Sequence, residues 1–241
     1  MSLTMAVMAP RMAVAGGNLL LMEAPPASTT LAVGAGLWAW PRYPGSARDR
    51  LQVLPAVDLA LANGFFASTD TGVGWNLSRQ ASWQYGLRLW PQWGRRGRDA
   101  TATAPAIGDR VQTEAFCNLA ALPALLLQSG LLTGAGAHRD GQQLELGATS
   151  GAPIGPDLVA IGLSATFANR AYRRAYSGAG LGAGWQDATL TLGSEHRLSP
   201  TWRISGQWLL TRLSPSGAQA AASAGASPWQ ATATVSAWRE F

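Results

Sequence analysis

One pattern recurs along this chain more than any other: a run in which apolar and polar side chains alternate strictly, ends near an aromatic ring and gives way to a turn. Successive side chains of a strand point to opposite faces, so alternation held over a whole run specifies a strand with two chemically different sides. The last forty residues show it most plainly. In the first run of residues 201–241, Trp202, Ile204, Trp208 and Leu210 share one parity, and Arg203, Ser205, Gln207 and Thr211 share the other. In the second run, Ala231, Ala233, Val235, Ala237 and Phe241 oppose Thr232, Thr234, Ser236, Trp238 and Glu240. One such face fits a soluble core as well as it fits lipid. Repetition at the same length, with the same aromatic ends, is what separates the two.

Composition decides the solvent. Charged residues make up 13% of the 241 residues, against 11 tryptophans and 28 glycines, too few charges to coat a soluble surface of this size. A membrane-spanning helix needs about 20 consecutive apolar residues. The closest approach begins at Ala115 and is interrupted by Asn118, Pro123, Gln128 and Gly130. A lipid-compatible chain without spanning helices can satisfy its backbone in a bilayer only as a closed barrel. The expected fold class is therefore all-β: a single antiparallel up-and-down transmembrane barrel over residues 29–241, preceded by a leader, disordered or an atypical signal, at 1–28. The leader has no basic start, and Arg11 breaks its apolar run.

The segments follow in order. Residues 29–40 place Leu31, Val33, Ala35, Leu37 and Ala39 on one side, and a Pro/Gly-rich loop follows. Residues 51–62 alternate most clearly, with Leu51, Val53, Val57, Leu59 and Leu61 against Gln52 and Asp58. Asn63-Gly64 is the favoured pair for a type I′ hairpin turn. Further strands are expected at 65–77, 81–90, 110–120, 125–137, 142–149, 159–167 and 185–196, with turns at 121–124 and 151–157 and a long loop at 92–108. The segments number eleven, whereas a barrel with both termini in the periplasm needs an even count. Division of 65–77 at Thr69-Asp70-Thr71-Gly72 gives twelve strands; ten is the alternative.

Chemistry that could mark an enzyme is weakly represented. His138 with Ser129, and His196 with Ser194 or Ser199, are the pairs from which a Ser-His hydrolase could be built, but neither shows a third group orienting the base. Two distant histidines and the single Cys117 do not form a metal-ligand pattern or an internal disulfide. Gly34-x-Gly36 and Gly178-x-Gly180-x-Gly182 lack the lysine and the strand-turn-helix setting of a phosphate cradle. All eighteen basic residues are arginine, and the net charge is +5. They are scattered rather than gathered on one stripe, which argues against nucleic acid as a partner. No catalytic residue, metal ligand or cofactor is expected.

Two residue sets are readable instead. With the apolar parity facing lipid, Asp58, Arg88, Glu114, Asp187, Glu195, Arg203 and Glu240 face the interior, where charges must be paired or hydrated. They are expected to form a polar network filling the lumen. Arg95, Arg96 and Arg98 in one loop, and Arg170, Arg173 and Arg174 in another, fall outside the cell when strands are counted back from a periplasmic C-terminus. Guanidinium groups suit bidentate contact with phosphate, so outer-membrane lipid and lipopolysaccharide are expected partners. Trp38, Trp40, Trp90, Trp93, Trp202 and Trp229 lie near strand ends, at headgroup level.

Several motifs resemble the MipA/OmpV family of outer-membrane proteins. These are Pro41-x-Tyr43-x-Gly45-Ser46, Leu54-Pro55 with Asp58, the Gly-Phe-Phe-Ala-Ser-Thr run from Gly64, Gly72-Val73-Gly74-Trp75-Asn76-Leu77, the segment from Gly94 to Asp99, and the strand from Ala188 to Pro200 with Trp202. The chain departs from that pattern in two places. The segment around Ala171–Tyr176 leads almost directly into Gly180, and the C-terminus reads Trp238-Arg239-Glu240-Phe241. The resemblance implies an outer-membrane barrel of a Gram-negative bacterium with nothing catalytic. In some members it implies a cell-envelope scaffold joining a murein transglycosylase to a penicillin-binding protein. The competing reading is a small pore or a barrel that binds a small molecule or lipopolysaccharide.

Overall fold

The computed structural model describes residues 25–43, 46, 48–100, 106–136, 138–177, 181–217 and 227–241. Most of the expected leader, Gly45 of the loop motif, and Gly178 and Gly180 of the glycine repeat lie outside the described residues. Twelve strands run in chain order: β1 Thr30–Pro41, β2 Asp49–Ala60, β3 Phe65–Ser68, β4 Gly72–Asn76, β5 Trp83–Gln92, β6 Arg110–Leu122, β7 Leu125–Ala135, β8 Gly141–Ile154, β9 Asp157–Ala168, β10 Gly184–Arg197, β11 Trp202–Leu213 and β12 Trp229–Glu240. One helix, α1 at Arg170–Ser177, lies between β9 and β10.

Every strand pairs antiparallel with its sequence neighbours, and β1 closes on β12 from Ala32↔Glu240 to Ala39↔Ala233. The barrel is thus up-and-down and closed, with twelve strands as the even-number argument requires. Both chain ends leave from one rim, the terminal rim. The opposite rim, carrying residues 93–109 and α1, is the far rim.

The alternation decides which side each residue takes. Leu51, Val53, Leu87, Leu131, Ile161, Leu163 and Trp208 lie on the outer wall, at least half exposed. On the opposite parity, polar side chains turn inward, and Gln84, Gln112, Asn118, Gln128, Gln143 and Gln207 are buried. A wall apolar outside and polar inside is inverted relative to a soluble protein and fits lipid outside.

The expected division of residues 65–77 falls at residues 69–71, between the short strands β3 and β4, where Asp70 N–H is bonded to Ser68 Oγ at 3.1 Å and Gly72 takes φ +82°. Other local details differ from the expected segment limits for physical reasons. The 61–64 turn is not type I′. That turn needs positive φ at both central residues, and only Gly64 has it, at φ +96°; Asn63 Oδ1 instead accepts the Phe65 N–H at 3.0 Å. The turn expected at 151–157 is strand as far as Ile154, and the reversal is confined to Gly155 and Pro156. Leu125 of β7 already pairs with Ser150, so Gly151 and Pro153 run past the end of β7 and read as turn residues while paired to β9. Conversely, the arginine loop at 170–176 is helical.

Because β3 and β4 are short, the wall is not equally tall all round. β3 meets β2 only at Asp58, Leu59 and Ala60, and β4 meets β5 from Val73↔Leu89 to Asn76↔Gly86. Above the 69–71 turn, among the described residues, no strand pairs with the edge of β2 over residues 49–56, nor with β5 over residues 90–92 on the same side.

Candidate functional site: the barrel interior and its far mouth

The inward charges form two assemblies. Arg88 on β5 and Glu114 on β6 are cross-strand partners. Nε and Nη2 of the guanidinium donate to Glu114 Oε2 and Oε1, both at 2.7 Å. Neither side chain is more than 1% exposed. Trp90 and Phe116 flank the guanidinium at 5.5 and 5.9 Å from their ring centroids, which offsets part of its lost hydration. Across β7, Gly130 leaves the carboxylate its room: a Cβ there would stand 2.6 Å from Glu114 Oε1.

Arg203 on β11 holds the second assembly. It donates to Glu195 Oε2 at 2.6 Å, lies 3.3 Å from Glu240 and 3.7 Å from Asp58, and stacks at 5.1 Å over Trp238. These contacts join β2, β10, β11 and β12, so the charge bridges the β1/β12 closure. Trp238, on the polar parity in sequence, is fully buried in the lumen, and its Nε1 donates to Ser205 Oγ at 2.9 Å. Arg197 extends the cluster toward the terminal rim, 3.7 Å from Glu240. Asp187, by contrast, takes part in neither assembly; its carboxyl accepts from Thr166. Amide layers fill more of the lumen: Gln112 donates to Gln143 at 3.2 Å, and Thr149 to Gln128 at 2.8 Å.

At the far mouth, α1 folds over the interior. Asn169 caps it, its Oδ1 accepting the Tyr172 N–H at 2.9 Å and the Gln142 N–H at 3.1 Å. Tyr172 and Tyr176, one helical turn apart, stack at 4.6 Å and are buried against Ile107, Ala135 and Ala168. Burial pushes both phenols above their ordinary pKa near 10, Tyr172 most strongly. Helical spacing of the two tyrosines after Asn169 was the available sign of this plug, and the arginines around them concealed it.

The six loop arginines do not act as one set. Arg95 is 2% exposed, donates from Nη2 to the Tyr176 carbonyl at 2.9 Å and lies 4.8 Å over the Tyr43 ring, so it fastens the plug. Burial lowers its pKa from the usual arginine value. Arg173 donates to the Gly182 carbonyl at 2.9 Å and to Ser216 Oγ. Arg96, Arg98, Arg170 and Arg174 are exposed on the far rim.

The histidines are separated. His138 lies exposed in the β7–β8 turn. His196 Nδ1 contacts Asp157 Oδ1 at 2.6 Å on the exposed terminal rim, while Ser199 Oγ is engaged by the Thr201 and Trp202 N–H groups. Ser129 Oγ donates to the Cys117 carbonyl at 3.0 Å rather than meeting His138. Cys117 faces outward and receives Trp83 Nε1 at 3.1 Å. Among the described residues there is no group of three or more His, Cys, Asp or Glu placed to hold a metal ion.

A closed twelve-stranded barrel, apolar outside, charged and amide-filled inside, and capped by a helix at one mouth, is an outer-membrane-type transmembrane barrel. Within that class the chain belongs to the MipA family, whose sequence model, described as MltA-interacting protein MipA, matches residues 33–228. No curated protein matches the chain. Solved barrels resemble it only in general form. The COG4313 outer membrane channel from Pseudomonas putida F1 shares 10% identity over 91% of this chain and 97% of its own, at a TM-score of 0.42. The CymD monoaromatic hydrocarbon channel shares 8% over 91% and 89%, at 0.38. Ail, the attachment invasion locus protein of Yersinia pestis, shares 8% over 91% and 100%, at 0.24. Scores this low carry nothing about ligand or partner.

Proposed function

We propose that the protein is a non-catalytic scaffold of the cell envelope, seated in the outer membrane of a Gram-negative bacterium. Its terminal rim faces the periplasm and there holds a murein transglycosylase, and with it a penicillin-binding protein. The observation that carries this reading is the occupied interior: amide layers and two ion-pair assemblies fill the lumen, and α1 covers the far mouth. A filled barrel is a poor conduit, since open aqueous channels belong to barrels of about 16 strands and more. What supports the partner is the family's description as an MltA-interacting protein. The surface available at the terminal rim comprises the short turns at 61–64, 123–124, 155–156 and 198–201 and the longer 77–82 segment, with Arg79 and Gln80 exposed. Pull-down from envelope extract with the refolded barrel should recover a murein transglycosylase, and Arg79→Glu with Gln80→Glu should reduce the yield. Stable single-channel conductance in planar bilayers together with an empty pull-down would replace the scaffold with a pore.

A second reading concerns the far rim. Arg96, Arg98, Arg170 and Arg174 are exposed on the far rim, where lipopolysaccharide phosphates would lie; Arg95 and Arg173 bond the Tyr176 and Gly182 carbonyls. Replacement of the exposed four by Gln should weaken lipopolysaccharide co-purification, while Arg95→Gln should instead loosen the plug. Unchanged lipopolysaccharide in the fourfold variant rejects the contact.

A further inference from the structure

Among the described residues, the short β3–β4 hairpin leaves a notch in the far half of the wall. One side is the β2 edge over residues 49–56, eight residues or roughly 25 Å of strand. The other side is β5 over residues 90–92. An unpaired edge inside a bilayer exposes backbone donors and acceptors that lipid cannot satisfy, and the sequence lowers that cost at two points. Thr69 N–H donates to the Val57 carbonyl, so Val57, and with it Pro55, directs its main-chain groups into the notch. Leu77 N–H donates to the Tyr85 carbonyl, so Tyr85, and with it Pro91, does the same from β5. Each edge thus carries a proline where an N–H would have pointed into the gap. Prolines at these positions also disfavour an added strand, which a notch of this shape would otherwise invite.

Beside the upper part of the notch, Gln52 lies on the lumen parity of β2 yet is exposed, and Arg50 and Leu54 are half-buried. Lower down, Ala56 is buried against Ala32 and Trp238, and the inward residues Gln84, Gln112, Asn118 and Gln128 of β5 to β7 are buried in their own surroundings. Asp70 lies at the floor, in the 69–71 turn. It is 4% exposed, and among the described residues its carboxylate has no hydrogen bond or ion pair; its backbone N–H is bonded to Ser68. The charged groups close enough to act on it are Asp58 and Arg203, and Arg203 already serves Glu195, Glu240 and Asp58. Arg203 thus stands among the carboxylates of Asp58, Glu195 and Glu240, and Arg197 reaches Glu240 from the terminal rim. The outer flank is strongly apolar, with Leu51 68% and Val53 73% exposed.

We propose that this notch is a lateral binding port for a small organic cation with an apolar body, whose ammonium group sits on the Asp70 carboxylate while its body lies between the β2 and β5 edges toward the bilayer. The Asp70 carboxylate supplies the charge complement, and the gap faces the bilayer. The plug at the far mouth and the partner surface at the terminal rim lie apart from it.

The test uses the full-length barrel in zwitterionic nanodiscs, with octylammonium as probe and octanol and octyl sulfate as controls, followed by calorimetry. Saturable binding is expected for octylammonium alone, weakened about tenfold or more in Asp70→Asn, as for loss of a charged hydrogen-bond partner. Equal affinity in the two proteins, or octanol binding as tightly as octylammonium, overturns the assignment. A measurement on the unaltered protein covers the case in which Asp70→Asn does not fold. An octylammonium carrying a diazirine on its chain should crosslink to residues 49–57 and 69–71, and adducts confined to other strands overturn the port.

Discussion

Glu114 has no exposed side-chain surface, and both of its oxygens are taken by one guanidinium. A pair of this kind contributes little net stability over an apolar pair of the same volume, yet loss of one member strands a buried charge. Glu114→Gln should therefore destabilise the barrel by about 3 kcal/mol in urea unfolding from lipid vesicles, whereas Arg88→Met with Glu114→Leu should fall close to the original protein. The double variant is the informative one. Should it be as damaged as Glu114→Gln, the pair's value lies in something other than mutual neutralisation. Both residues were readable as inward charges from their parity alone. Their partnership was not, because the residues sit 26 positions apart and register alone brings them opposite.

The helix α1 is the element whose role the chain's alternation does not express. It is eight residues long, too short to be stable unaided, so its order comes from Asn169 and from the two tyrosines packed beneath it. Asn169→Ala should cost about 1 kcal/mol of local stability, read as faster proteolysis between residues 170 and 177. The tyrosines give the plug a pH limit. Burial raises both phenol pKa values, so the docked state holds their protons more tightly than the undocked state does. The stabilisation is complete below pH about 10 and is lost as pH climbs through the raised values. Spectrophotometric titration should show a late phenolate component accompanied by cleavage in α1. Tyr172→Phe should remove part of that component, and ionisation of all the phenols in a single early step would show that the plug is not buried in solution.

For the whole molecule, the membrane is the solvent that sorts the faces. Leu163 is 63% exposed near the middle of β9, and Gln207 is buried within the lumen from β11. An arginine at Leu163 should cost about 2–4 kcal/mol at mid-depth and much less near a rim. Placed instead at Leu198, a comparably exposed apolar residue in a terminal-rim turn, it should be tolerated. Equal unfolding free energies for the two variants in vesicles would mean that lipid does not cover β9.

The fold, the inward and outward faces and the even strand count follow from period two and the lack of a spanning helix, because each strand's faces are set by its own side chains. Division of 65–77 at Thr69-Asp70-Thr71 was also legible, from turn residues inside an otherwise continuous run. The depth of that division was not. How far a hairpin climbs depends on its neighbours' register, and here, among the described residues, the register leaves residues 49–56 of β2 without a paired strand on that side and the Asp70 carboxylate without a hydrogen bond. The same limit explains the loop arginines. Arg95 and Arg96 are adjacent in sequence, yet only the tertiary structure determines that Arg95 lies over the Tyr43 ring and bonds the Tyr176 carbonyl while Arg96 meets solvent. Local pattern records which face a residue prefers. Which distant residue stands across from it is set by barrel closure, which no single segment encodes.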